Sequence, residues 1–437
     1  MAFSSTRVTL SGQRFLAHRL ERALAGADIH TDEYSPRAQS MSLLVGTVAA
    51  AAAVGVCAVF TASRPTADLG DARILTVEGS TALYVRVDDV VHPVSNMTSA
   101  RLIAETDEQP TVISTAALDQ VKRGAALGIP GAPALLGTPL DTTPGWTVCD
   151  HRGTTVIAGP PISGPAVQVL AQAPSGQTYL LFDGQRARVD LGDRAVVRAL
   201  HLDNAAPVPV SAALLDLLPE VPAIATPAIP DLGSDGPSAL PGFRVGDVLS
   251  VASTTETDFF VVLAAGVQQV GPVAADVLRS SSIRASITAV APAALAALPV
   301  VGVLPVAHFP HQVTQVQSAG VCASWQDGTV ALRAGTPPVD GRVPVRLAGA
   351  DDDGPGLDAV SLPAGRYAYV RTHVGDTTGW LIADLGVRFR VRDADTARVL
   401  ALPDPVAVPR AVLDALPRGP ELSRSAALLA HDTVASP

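Results

Sequence analysis

The distribution of apolar positions changes character along the chain. From Ser11, a candidate N-cap, the run to Gly26 repeats apolar residues at helical spacing. Leu16, Leu20, Ala23, Leu24 and Ala27 fall on one face of that helix, and Arg14, His18 and Arg22 on another. Gly26 suits the position just past a helix end. Residues 41–62 then carry no charged side chain. As a helix they reach about 33 Å at about 1.5 Å per residue, enough for a hydrocarbon core of about 30 Å. Lipid offers backbone N–H and C=O groups no partners, so a spanning segment of this kind is helical. A buried helix of a soluble protein is the alternative.

Beyond residue 72 the period shortens. The stretches 83–94, 179–189, 259–270 and 380–391 set aromatic and β-branched residues on either side of a small or acidic turn, which predicts hairpins. Each is followed by a short helix, read as Leu118-Asp-Gln-Val121, Leu215-Asp-Leu-Leu218, Leu295-Ala-Ala-Leu298 and Leu413-Asp-Ala-Leu416. Pro219, Pro299 and Pro417 stop the last three. Uneven spacing excludes a tandem solenoid of fixed period. The long intervals are those in which segments around Cys149 and Cys322 intervene, and these segments echo each other: Val148-Cys149 runs on to Gly153-Thr-Thr-Val156, and Val321-Cys322 to Gly328-Thr-Val330.

The expected fold class is α+β. A cytoplasmic helix (1–40) and a single transmembrane helix (41–62) precede an elongated, pseudo-twofold extracytoplasmic region of four small α/β repeat units around a central β domain. The units span 73–137, 178–221, 243–304 and 379–424. The central domain takes 138–177 and 305–378, a Pro/Gly linker takes 222–242, and 425–437 form a tail.

Charge orients the membrane segment. Arg7, Arg14, Arg19, Arg22 and Arg37 precede it and Arg64 alone follows closely, which places the N-terminus in the cytoplasm and residues 63–437 outside. A leader of about 40 residues is too long for a cleaved signal peptide. Val56 before Cys57 departs from a lipobox. The N-terminal helix then has two readings, a basic helix on anionic headgroups or a docking helix for a cytosolic partner. A net charge of −10 with only 16% charged residues argues against nucleic-acid binding.

Of the three cysteines, Cys57 sits in the membrane segment, leaving Cys149 and Cys322 in strand-like contexts outside. Lone thiols in an oxidising compartment most often pair, and closing so long a loop stabilises by on the order of 5 kcal/mol. Two separate buried thiols are the alternative. Other chemistry is thin. Gly-x-x-x-x-Gly-Lys-Ser/Thr is absent, the single lysine Lys122 lacks the preceding glycines, and no Gly-x-Ser-x-Gly occurs. Gly354-Pro-Gly356 follows Asp351-Asp-Asp353, whose charge repels phosphate, and the acidic run lacks the alternation of a calcium loop. His308-Phe-Pro-His311 reads as a surface loop without further metal ligands. No catalytic, cofactor or metal site is expected.

The segments Ser11-Gly-Gln-Arg-Phe-Leu-Ala-His-Arg-Leu-Glu-Arg-Ala-Leu24, Ala82-Leu-Tyr-Val-Arg-Val87, Gly128-Ile-Pro-Gly-Ala-Pro133, Trp146-Thr-Val-Cys149 and Val321-Cys-Ala-Ser-Trp325, together with the single anchor, resemble the EccB family. EccB is the membrane-anchored core component of the type VII (ESX) secretion system, and the resemblance covers essentially the whole chain. It implies a scaffold subunit of the plasma membrane, assembled with EccC, EccD and EccE, associated with the mycosin protease, and self-associating. It implies a Cys149–Cys322 bridge, and a cytosolic helix whose Arg14, Phe15, Arg19 and Arg22 contact the rest of the complex. The repeats of the family are similar to a wall-binding fold of phage lysins, which suggests contact with peptidoglycan and, as an alternative function, an anchored wall-binding module. Some family members carry an ATPase label, the other alternative, for which this sequence holds no motif.

Overall fold

The computed structural model describes residues 7–25, 45–52, 69–140, 144–253, 256–282, 284–313, 320–337, 341–352, 354–373 and 375–432. They belong to two compact units, Met1–Asp68 and Leu69–Pro437. In the first, the helix Arg7–Leu24 begins a turn ahead of Ser11. No Gly or Pro interrupts residues 7–10, so the helix runs through Ser11, which is not its N-cap. Gly26 lies outside the described residues. Residues 45–52 are helical and exposed. The rest of 41–62, with Cys57, lies outside the described residues, and among those described no helix is long and apolar enough to cross a membrane.

In the second unit all four hairpins form, and each is the middle of a larger repeat. The second repeat shows the plan. Val169–Gln172 pairs antiparallel with Thr178–Phe182, which turns into Gln185–Val189. Helix Arg194–Ala199 then leads to Val208–Pro209, which returns parallel to the first strand, and helix Ala212–Leu217 leads to Glu220–Ile224, parallel to the third. The other repeats follow the same order from Ile74–Val77, Val248–Ala252 and Arg366–Arg371. Where the fifth strand is shortest it is a single bridge, Val300 on Val267 or Arg418 on Arg388. Alternation explains the hairpins: in Gln185–Val189, Ala187 and Val189 are buried while Arg188 points out.

The Leu-x-x-Leu signals end their helices. Helices Ala212–Leu217, Pro292–Leu295 and Arg410–Ala415 start before the first leucine of each motif, and Leu218, Leu298 and Leu416 lie beyond the last turn, each one residue before its proline. The residue before a proline is pushed out of the helical region, which sets that boundary. Strands Val169–Gln172 and Arg366–Arg371 lie inside the segments expected to be central, 138–177 and 305–378, yet open the sheets of the second and fourth repeats. The Pro/Gly stretch 222–242 is mostly exposed but is pinned at both ends, where Ile224 is fully buried and Leu240 nearly so.

The central sheet comes from two hairpins, Gly145–Asp150 with Thr154–Gly159 and Val321–Gln326 with Thr329–Ala334. They join antiparallel, Trp325 opposite Trp146 and Cys322 opposite Cys149, and Ala359–Ser361 extends the sheet beside Thr154–Gly159. The repeats pair across the sequence. Helix Met97–Ala104 of the first packs on the fourth, with Leu102 and Ile103 in one core with Val399 and Leu400. Helix Arg194–Ala199 of the second packs on Pro272–Ser281 of the third. The second helices of the second and fourth repeats meet over the central sheet, burying Leu214, Val412 and Trp146 in a shared core.

Candidate functional site

The bridge between the central hairpins is built by register. Cys149 and Cys322 face each other on adjacent antiparallel strands, both fully buried, with Cα atoms 4.0 Å apart and a disulfide between them across 173 residues of sequence. Ile157 and Ile162 cover it. Thr147 and Ser324, two positions further along the same strands, share a hydroxyl hydrogen bond of 2.5 Å.

Beside the bridge, Asp150 ties the central sheet to the second repeat. Its carboxylate accepts the Ser211 N–H at 2.7 Å and the Thr154 hydroxyl at 3.0 Å. Ser211 in turn caps helix Ala212–Leu217 by accepting the Leu214 N–H. Asp358 accepts the N–H groups of Thr154 at 2.7 Å and Asp352 at 2.6 Å. Burial pushes the Asp150 carboxyl above its ordinary range, opposed by the Ser211 and Thr154 hydrogen bonds. Asp150, Thr154, Ser211 and Asp352 line a cleft of about 690 Å³ with His151, Arg152 and Pro209. The Asp150 and Asp358 carboxylates are both engaged by donors of the fold itself, which makes them ties between elements. Among the described residues no three His, Cys, Asp or Glu side chains are grouped as a metal ion requires.

Of the acidic run, Asp352 forms a two-pronged pair with Arg346 at 2.7 and 3.1 Å, and Asp353 lies outside the described residues. His308 stacks edge-on against Phe309, with ring centroids 5.0 Å apart, while Phe309 is buried in the second and third repeats' core. The 308–311 segment is therefore anchored by Phe309 rather than being a wholly surface loop.

The second and fourth repeats hold a matched polar cluster absent from the expectations. Arg186 pairs with Asp216 at 3.2 Å and lies over the Tyr179 ring; Arg388 pairs with Asp414 at 3.1 Å and lies over Trp380. The preceding glycines, Gly184 and Gly386, have positive φ, and an added Cβ there would collide with Val330 and Val360 of the central sheet. Both features are legible as a repeated signal, Gly184-Gln-Arg186-Ala-Arg188 and Gly386-Val-Arg388-Phe-Arg390.

On the separate N-terminal helix, Arg14, Phe15, Arg19 and Arg22 are all exposed. Phe15, Arg19 and Arg22 run along one side at i, i+4, i+7 spacing, and Leu16, Leu20 and Leu24 form an exposed apolar stripe beside them. An amphipathic helix with its apolar stripe in water is a surface that a partner or a headgroup layer covers.

Residues 3–436 match the family described as "Type VII secretion system ESX-1, transport TM domain B", EccB. The chain belongs to the EccB family. The ESX-3 secretion system ATPase EccB3 of Mycolicibacterium smegmatis is 34% identical over 481 residues, covering 99% of this chain and 92% of that EccB. The ESX-2 secretion system ATPase EccB2 of Mycobacterium tuberculosis is 33% identical, covering 98% and 96%. Among solved structures, a chain of an intact ESX-5 inner membrane complex superposes with a TM-score of 0.71 at 28% identity, covering 100% of this chain and 98% of that one. The EccB3 dimer of the ESX-3 core complex gives 0.72 at 31% identity, over 82% and 100%. The mixed α/β architecture with several sheets is thus that of the EccB family.

Proposed function

We propose that this EccB-family chain is a scaffold subunit of a type VII secretion membrane complex. Residues 41–62 anchor it in the plasma membrane as a single pass, with the N-terminal helix in the cytoplasm and the disulfide-bridged body outside. The observation that carries the reading is full-length likeness, in sequence and fold, to a chain of an ESX inner membrane complex. A buried disulfide across 173 residues fits an oxidising compartment. The subunit self-associates, as the EccB3 dimer does, and its partners are EccC, EccD, EccE and the mycosin protease. Arg14, Phe15, Arg19 and Arg22 supply contacts to the cytosolic parts. Peptidoglycan is a further candidate contact of the repeats.

Tagged full-length chain, solubilised in detergent, is expected to co-purify with other membrane components of the secretion locus. The variant with Arg14, Phe15, Arg19 and Arg22 changed to alanine is expected to lose them while staying in the membrane fraction. Undiminished co-purification of that variant removes the docking role. The relatives' names carry the word ATPase; nucleotide turnover that follows the purified chain through size exclusion would establish that activity instead.

A further inference from the structure

The second helices of the repeats do not share one environment. In the second and fourth repeats, helices Ala212–Leu217 and Arg410–Ala415 pack on each other and bury Leu214, Leu217 and Val412. Counted back from the closing prolines, the third repeat sets Ala294 and Ala297 at those positions, and both are exposed. Leu295 and Leu298 still pack against their own sheet, in one core with Leu249 and Val262. The helix is seated like its siblings, and its outer face differs.

The first repeat shows what a solvated version of that face carries. Thr115, Asp119, Gln120, Lys122 and Arg123 are exposed there, and Asp119 pairs with Arg123 at 2.8 Å. The third repeat has no such groups: residues 289–307 hold no polar or charged side chain. Ala296 stands where the other repeats have Asp119, Asp216 and Asp414, and Val300 stands where the second and fourth have Glu220 and Arg418. Val300 and Val303 are 70% and 54% exposed. Apolar area left in water is unfavourable, and contiguous exposed patches mark contact sites.

We infer that the outer face of the third repeat, formed by Ala294, Ala296, Ala297, Val300 and Val303, docks on the same face of a second copy of this chain. Within the chain, this helix position in one repeat is already covered by the same position in another, so a repeat of the same shape is the fitting occupant. A twofold contact sets residues near the axis against their own kind, and a face without charge escapes the like-charge repulsion this brings. A lipid surface fits less well, because residues 289–307 contain no Lys, Arg, Trp, Tyr or Phe to anchor at headgroups. The inference rests on the self-association proposed above and names its surface.

The test uses the full chain purified in detergent. Ala296→Asp combined with Val300→Glu installs the residue types that sibling repeats carry at these positions, so the fold is retained, as an unchanged thermal transition verifies. The dissociation constant between copies is expected to rise at least about tenfold. Ala294→Cys in a Cys57→Ser background is expected to give a cross-linked dimer on a non-reducing gel of isolated membranes, and its absence overturns the inference even should the double variant misfold. A parent chain that dimerises while the double variant dimerises equally well overturns this surface and leaves self-association standing. A monomeric parent chain overturns both.

Discussion

Cys149 and Cys322 are held by strand pairing before they are held by sulfur: each sits in an all-buried run, opposite the other in an unbroken register of five pairs. Closing a loop of 173 residues removes unfolded-state freedom, stabilising by on the order of 5 kcal/mol. Cys149→Ser is therefore expected to lower the free energy of unfolding by about 2–5 kcal/mol in denaturant titration, and to abolish the mobility difference between reduced and non-reduced gels. The cysteines were legible because only two lie beyond residue 62. Asp150 was not, since nothing in Cys149-Asp150-His151 foretells that Ser211 will donate to it from the cap of the second repeat's helix.

Helices in these repeats are short and depend on their first turn. Asn96, Asp193 and Asp393 each cap the first helix of a repeat through a side-chain oxygen, and the third repeat instead begins at Gly271 with Pro272 in the first turn. The Thr396 backbone N–H, donating to Asp393, holds that carboxyl below its ordinary range, with the Thr396 side chain assisting. Asp393→Ala is expected to cost about 1 kcal/mol at neutral pH. A carboxyl whose folded pKa is depressed contributes stability that is fully present above the unfolded value of 3.8 and is lost as pH falls through the folded pKa. The gap between the two proteins in thermal melts should therefore hold from neutral pH down to 3.8 and narrow below it. Hairpins and helices were visible in the sequence because turn residues and alternation are local. The first strands of the second and fourth repeats were not: Val169–Gln172 is a run of four residues, and Arg366–Arg371, though rich in strand-forming residues, carries nothing local that assigns it to the fourth repeat's sheet rather than to the central one.

In the Leu69–Pro437 unit the ends of the chain segment meet. Ala430–His431 pairs with Ala126–Leu127, Ala427 and Leu422 are fully buried against the first repeat's helix Met97–Ala104, and Arg424 lies 3.5 Å from Glu105. The first and fourth repeats thus share a core that neither completes alone. Truncation after Leu422 is expected to open that core, read as new protease cuts in both the first and fourth repeats and a lowered melting temperature. Cuts confined to the fourth repeat would contradict the shared core.

By itself the sequence determined the repeated hairpin-and-helix unit, the two strand-like segments that carry Cys149 and Cys322, and the family resemblance, because each rests on motifs made of residues close together in the chain. Tertiary structure alone decided that the first repeat pairs with the fourth and the second with the third. It also decided that Trp146 lies opposite Trp325, and that the outer faces of the second helices are buried in two repeats and exposed in the third. An apolar face specifies that it must be covered, being non-directional in its attraction, and carries no address for the partner that covers it.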